Sequence, residues 1–396
     1  MMGAHVLLVP SWYPASHDDI NGSFFRAQAV ALAKEGIKVG VIAPILESLR
    51  SPIRALRGSF SITYENDLGV DTYRKRVINA FPGMPALTEK LWQRMGLKLY
   101  AQYVKEHGRP QVLHVHSMLY AGSIARIIKK KYGIPYVITE HSTAFARRLV
   151  NKKQISLLTG IAHDAAARFA VSSAFCNLLS KQLGENGGEW KALPNMIEDA
   201  FFSEASFQPK SLGEFVFLTV CFLRANKRVD LLLHAFARAC AELPFAKIRI
   251  GGDGPERVLL EKIAAEIGIA DKVEFIGELS RCRVIEEMKK ANVFVLSSEF
   301  ETFGVVVAEA LALGKPVVAT ICGGPEDIVQ EKDGILVPKN DVSAMSKALI
   351  HMGNNAENYD ALDIQNRCRA RYSEKSVTGE LIGRYRDVIS GTNVLA

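Results

Sequence analysis

In the stretch SSEFETFGVVVAEALALGKPVVA (residues 297–319) two carboxylates, Glu301 and Glu309, stand eight residues apart. The run between them is almost wholly apolar, so an acid at 309 interrupts a segment otherwise fit for a core. A glycosidase-type acid/base pair needs its carboxyls roughly 5–9.5 Å apart. On one helix, eight residues would separate them by ~12 Å along the axis, too far to share a glycosidic bond. The composition instead predicts a helix that opens at Phe303–Gly304, with Glu301 in the preceding loop and Glu309 more than one turn inside. Two acids so placed grip distant parts of one extended ligand. Between them, helix-start amides without helical partners favour an anion, and Gly304 lets it approach the backbone closely. A ligand with hydroxyls at both ends and phosphate in the middle is a nucleotide sugar. The competing reading makes Glu309 a structural acid.

Other residues could serve such chemistry. Cleaving a sugar–diphosphate bond calls for cations on the departing oxygens, and VCFLRANKRVDLLLHAF supplies Arg224, Lys227 and Arg228. The turn DINGSFF ahead of a helix offers the amides of Gly22 and Ser23 to a diphosphate, although Asn-Gly is also simply a turn former. His116 ends the strand VLHVH and His141 follows YVITE, at strand carboxyl ends where parallel sheets place ligand contacts. His114 is read as facing the other side of its strand and is set aside.

The elements that must position these residues alternate along the whole chain. In the first half, strands HVLLVP, KVGVIAP, PQVLHVHS, IPYVITEHS and RFAVSS alternate with helical patterns, and FSITYENDLGVDTYRKRV reads as an inserted hairpin. The second half repeats the pattern from EFVFLTVCFL to GILVP. Continuous β-branched runs between helices indicate parallel sheets covered on both faces. The expected fold is α/β, two doubly wound Rossmann-like domains facing across a central cleft. The boundary is placed near KALPNMIEDAFF, giving residues 1–195 plus a C-terminal helix of about 374–396, and residues 196–373.

Composition narrows the classes. No apolar run approaches the ~18 residues of a membrane span, and the first residues lack the basic region of a signal peptide. Six dispersed cysteines read as free cytosolic thiols rather than a disulfide frame or zinc site. The net charge of +7 conceals an asymmetry: through Asn195 there are 25 Lys/Arg against 13 Asp/Glu, afterwards 24 against 29. A basic first half suits an anionic partner, or is simply a soluble basic surface.

Taken in order, these segments resemble the retaining glycosyltransferases of family 4, which adopt the GT-B fold. The resemblance is densest from Lys227 to Pro338 and includes Glu301…Glu309, GGDGPERVLLE, VEFIGEL and GGPEDIVQEKDGILVP. In the first half it rests on SWYPASHDDINGSFFRAQAVALAKEG, VLHVHS, IPYVITEHS and PNMIEDAFF. It implies that Glu309 binds ribose hydroxyls and Glu301 those of the transferred sugar. The backbone from Thr302 through Phe303 and Gly304 to Val305 would meet sugar or phosphate, with Gly252 also on the donor side. Lys227 falls on the family's lysine; the family's arginine position holds Phe222, and Arg224 or Arg228 would act in its place. His116 would hydrogen-bond the donor sugar, and Glu140, His141 and Arg147 would shape the acceptor side. The absence of an Asp-x-Asp triplet, the usual metal carrier of the other large glycosyltransferase fold, implies transfer without a metal or other cofactor. The family reaction retains configuration, with the donor phosphate taking the acceptor proton.

The implied partners are a nucleotide-sugar donor, UDP rather than GDP, and a saccharide or polyprenyl-phosphate-linked acceptor, in the cytoplasm and peripherally at its membrane face. Basic clusters at Arg74–Arg76, Lys129–Lys131 and Arg147–Lys153 would meet anionic headgroups. The amphipathic segment 81–108, with Trp92, Arg94 and Lys98, would either lie at the interface or pack on its own domain. Alternatives are a small soluble acceptor, or a non-catalytic nucleotide-binding protein with a repurposed fold. Nucleic acid is disfavoured because the basic clusters contain few aromatics. A dehydrogenase is disfavoured because no G-x-G-x-x-G follows the first strand.

Overall fold

The computed structural model describes residues 3–15, 22–47, 61–81, 83–203 and 214–393. Residues 16–21 of the loop expected between the first strand and first helix, and the first residue of the expected hairpin, lie outside them. The chain divides into two units, residues 1–196 with 377–396 and residues 197–376.

The first unit holds strands β1 (His5–Pro10), β2 (Lys38–Glu47), β3 (Ile62–Asp67), β4 (Val70–Ile78), β5 (Val112–His116), β6 (Tyr136–Glu140), β7 (Ala167–Ala170) and β8 (Lys191–Ala192). They form one sheet in the order β3-β4-β2-β1-β5-β6-β7-β8. All pairs are parallel except the β3–β4 hairpin. Helices α1 (Ser23–Lys34), α2 (Pro85–His107), α3 (Ala121–Tyr132), α4 (Lys152–Asp164) and α5 (Ser173–Leu183) connect them. Val6, Leu8, Val39, Val41 and Val137 build a core with Phe25 and Leu32 of α1. Of the two readings of residues 81–108, the apolar stripe follows the one in which it packs on its own domain. Helix α2 turns Trp92, Met95, Leu99 and Tyr103 inward, and Trp92 is only 5% exposed. Its apolar stripe packs on β2, β4 and α3.

The second unit begins with the short α6 (Asp199–Ser203) and holds β9 (Phe215–Val220), β10 (Ala246–Gly251), β11 (Val273–Gly277), β12 (Val293–Leu296), β13 (Val317–Thr320) and β14 (Gly334–Val337). The order β11-β10-β9-β12-β13-β14, parallel throughout, is the doubly wound 3-2-1-4-5-6 pattern. Its helices are α7 (Val229–Ala239), α8 (Arg257–Glu266), α9 (Arg281–Lys290), α10 (Val305–Ala312), α11 (Pro325–Ile328), α12 (Val342–Asn355) and α13 (Ala361–Tyr372). Phe217, Ile248, Val293 and Val295 meet Leu232, Phe236 and Leu349 in one core. The last helix, α14 (Glu374–Asn393), starts in this unit. Its Leu381, Ile382 and Tyr385 nevertheless belong to the core of the first unit, so the chain end returns there.

Candidate functional site

In the second unit the strand order reverses between β9 and β12, and the carboxyl ends of a doubly wound sheet open a crevice at such a point. Loop 221–228 leaves β9 there, and loop 297–304 leaves β12. The two loops are tied together: Glu299 N donates to Asn226 O at 2.9 Å and Ser297 Oγ to Lys227 O at 2.8 Å. Lys227 Nζ donates to Glu301 Oε1 at 2.6 Å, and Ser298 Oγ donates to the same oxygen at 2.7 Å. Burial works against the Lys227 charge, but Glu301 outweighs it and raises the ammonium pKa. The Glu301 backbone pairs with Cys322 and Gly324, at 3.0 Å in each case. The acid is therefore held at backbone and side chain alike.

Gly304 caps α10 with φ 90°, a conformation that suits glycine. The amides of Val305 and Val306 open the helix. Phe303 turns its ring inward against Tyr372, which leaves the backbone of Thr302–Val305 as the part that borders the loop. Glu309, fifth in the helix, is 1% exposed. Burial raises its pKa, against the lowering effect of Arg281. Arg281 Nη1 donates to Glu309 Oε1 at 2.6 Å and Nη2 to Glu198 Oε1 at 2.8 Å. The Arg281 guanidinium also lies 4.7 Å from the Phe201 ring centroid.

The other second-unit candidates divide. Arg224 is exposed and stacks over the exposed ring of Phe222 at 4.6 Å; among the described residues it makes no ion pair. Arg228 is committed elsewhere, to Asp230 and Asn340. Gly252, expected on the donor side, has a packing reason to be glycine. A Cβ there would meet Cys221 O at 1.8 Å, and φ is 120°. The segment 251–256 thereby lies flush against the loop that carries Lys227, with Leu223 N donating to Asp253 O at 2.9 Å.

In the first unit the order reverses between β1 and β5, and His116 ends β5 at that point. Gly22 and Ser23 stand at the start of α1, whose Phe25 ring packs on His116 and His141 at 4.7 and 4.9 Å. His116 Nδ1 and His141 Nε2 are 3.2 Å apart, one donating and one accepting. Burial holds both imidazoles neutral, His141 at about 3 and His116 well below the usual value. His116 Nε2 is buried without a hydrogen-bond partner among the described residues. Such a group gains most from a ligand that pairs it. Ser117, next in sequence, has φ 64°, a strained value of the kind that gathers at functional sites.

Two expectations change. His114 shares the face of His116, because side chains two apart on a strand point the same way; the rings are 4.0 Å apart. His114 is also committed, to Tyr385 Oη at 2.6 Å and Thr139 Oγ1 at 2.8 Å. Glu140 does not offer a free carboxylate to an acceptor. It accepts from the amides of Met118, His141 and Ser142 at 2.8–3.0 Å, locking the loop after β5 to the loop after β6. Arg147 is exposed on the turn that follows His141 and makes no ion pair among the described residues. Sequence reasoning missed Arg281 and Glu198. Nothing local marks them, because the Arg281–Glu309 pair spans 28 residues and depends on how α9 and α10 are set beside one sheet.

Comparison with known proteins now bears on this geometry. Residues 22–201 match the family described as Glycosyltransferase Family 4, and residues 202–369 that described as Glycosyl transferases group 1. An exopolysaccharide phosphotransferase of Streptomyces coelicolor is 34% identical over 174 residues, 43% of this chain but only 18% of that protein. A D-inositol 3-phosphate glycosyltransferase of Mycobacteroides abscessus is 26% identical over 334 residues, 78% of this chain and 71% of that protein. Among solved structures, sucrose-phosphate synthase from Thermosynechococcus elongatus aligns with a TM-score of 0.77 at 19% identity, covering 98% of this chain and 100% of that one. Anabaena HepE, solved with UDP, aligns at 0.72 and 17%, covering 97% and 100%. At these identities the structural likeness speaks for the fold, GT-B, alone. With the two family matches running consecutively from residue 22 to residue 369, the chain belongs to the family 4 glycosyltransferases.

Proposed function

We propose that this protein transfers a sugar from a nucleotide-sugar donor, a UDP-sugar in preference to a GDP-sugar, to a lipid-linked or saccharide acceptor in surface polysaccharide or glycolipid assembly. The observation that carries the reading is the second-unit crossover. There the Lys227–Glu301 pair and buried Glu309 flank the first amides of α10. Glu309 takes the ribose hydroxyls, Glu301 those of the sugar, and Lys227 with the helix amides the diphosphate. Arg224, exposed at the same loop, adds charge where Phe222 occupies the family's arginine position. The HepE complex with UDP supports uridine.

Transfer proceeds with retention and without metal. The bond from the anomeric carbon to the diphosphate breaks, and the acceptor oxygen bonds the same face. Its proton goes to a departing phosphate oxygen, which leaves as nucleoside diphosphate. Lys227 stabilises the growing charge. His116, neutral and with Nε2 unpaired, hydrogen-bonds the sugar, and His141 and Arg147 border the acceptor. No described helix is long and apolar enough to cross a membrane; the protein works peripherally at a cytoplasmic membrane face. The relative named for D-inositol 3-phosphate favours a second reading with a small anionic acceptor, and co-sedimentation with membranes separates the two.

Calorimetric titration with UDP and GDP in the presence of EDTA, alongside Glu309→Ala, tests the reading. One nucleotide binds the native chain and is lost from the variant. If neither nucleotide binds the folded native chain, the donor assignment fails.

A further inference from the structure

A cavity of about 310 Å³ opens in the first unit beside the loop that follows β5, at the lower end of the range for small-ligand sites. Its walls come from the start of α2 (Pro85, Ala86), the loop after His116 (Met118, Leu119) and α4 (Leu157, Leu158). Four of the polar side chains that also line it are already paired with one another. Asn151 and Gln154 cap each other at the start of α4, and Ser123 Oγ donates to Glu89 at 2.5 Å. An occupant therefore gains apolar contact rather than hydrogen bonds. Tyr120, another wall residue, is held at φ 67°, ψ −58°, a conformation that costs a non-glycine residue energy.

The surroundings are amphiphilic. Met84, 54% exposed, immediately precedes Pro85, and Leu149, 60% exposed, lies two residues before Asn151. Arg147, Arg148, Lys152 and Lys153 are exposed on the same stretch, and among the described residues none of the four forms an ion pair. Lys153 itself lines the cavity. The cavity also adjoins the loop of His141, because Glu140 ties the Met118 amide to it.

We propose that this cavity receives the hydrocarbon chain of a lipid acceptor bearing a phosphate, whose charge is met by Lys153, Arg147 and Arg148. The inference rests on the glycosyltransferase reading and narrows its acceptor to a phosphate-bearing amphiphile. Trp92 does not line it. The lipid contact comes from the first turn of α2, the loop after His116 and the first turns of α4.

The test uses the full chain and calorimetry with farnesyl phosphate and dodecyl phosphate below their micelle concentrations, with inorganic phosphate and farnesol as controls and UDP titrated in parallel. At least one lipid phosphate binds, and the tighter of the two names the chain type; phosphate or farnesol alone binds at least tenfold more weakly. Ala86→Trp, at the exposed mouth, and Leu157→Trp, on the wall, each weaken lipid phosphate at least about tenfold, equivalent to returning about two methylenes to water. UDP affinity stays unchanged in both. Lys153→Glu weakens lipid phosphate without filling the cavity, so the proposal is tested even where a filled variant unfolds. Inorganic phosphate as tight as the lipids, or full lipid affinity in both filled variants, overturns it. Loss of lipid binding with UDP binding intact in the native chain sinks this inference alone. Lipid binding without UDP binding sinks the donor assignment instead.

Discussion

Arg281→Ala isolates the ion pair that faces buried Glu309. Glu309 is 1% exposed, and Arg281 is the cation that faces it, with Glu198 the nearby acid that opposes its charge. Removing one partner of a buried pair costs about 3–5 kcal/mol. The Arg281 side chain is 41% exposed, so water screens part of the interaction and the cost falls to roughly 1–3 kcal/mol. Glu309 answers by taking up a proton. Its pKa is already raised by burial and rises further without the guanidinium. A carboxyl whose folded pKa lies above its unfolded value supports folding fully below the unfolded pKa. That support is lost as pH climbs through the folded pKa. The variant should therefore be closest to native stability near pH 5 and fall behind as the pH rises to 8. Nucleotide binding runs the other way, because a ribose diol donates to carboxylate better than to carboxylic acid, by about 1.5 kcal/mol or roughly tenfold. UDP titrations from pH 5 to 9, with urea unfolding at each end, read both trends, and Arg281→Lys should restore much of each. Native UDP affinity in Arg281→Ala, flat across that range, would refute the link between Arg281, the Glu309 charge and ribose.

Two further outcomes are expected. Lys227→Ala removes the cation beside Glu301 and should lower turnover by about 10²–10³, the cost of one missing electrostatic donor at a developing anion. UDP affinity should fall less than turnover, and equal losses in both would make Lys227 a mere binding residue. The first unit should lose stability on mild acidification. Burial depresses His114 and His141 to about 3 and holds His116 well below the ordinary imidazole value. The stability these groups contribute is complete above their unfolded pKa near 6.5 and is lost as pH falls below it. At pH 5 that is about 2 kcal/mol for each of His114 and His141, from roughly 1.5 units at 1.36 kcal/mol per unit. Urea midpoints at pH 7 and 5 check this, and a His114→Gln background should lessen the drop.

The repeating architecture is written locally. Runs such as VLHVH and VFVL are β-branched and short, and each is followed by a turn signal and a helical period. Backbone sterics and burial then force the doubly wound order with little help from distant residues. Helix starts are equally local: Gly304 tolerates φ 90°, so α10 opens where an apolar run follows it. The placement of Glu301 in a loop and Glu309 in a helix follows from that single boundary. His114 shows how the same local rule is misapplied, since the pleat's period of two puts it with His116 rather than away from it.

What a side chain meets is a different matter. The amphipathic pattern of α2 was readable, but whether Trp92 faced lipid or protein depended on β2 and β4 presenting a wall for it. Glu140 looked free for an acceptor until three amides from two loops converged on it. Arg281 became the partner of Glu309 only because the sheet order brings α9, which follows the edge strand β11, beside α10, which follows β12. Periodicity and helix boundaries arise from interactions within a few residues of chain. Pairing, burial and the charge of a carboxylate arise where loops from separate strands meet, and no local stretch of this chain encodes that meeting.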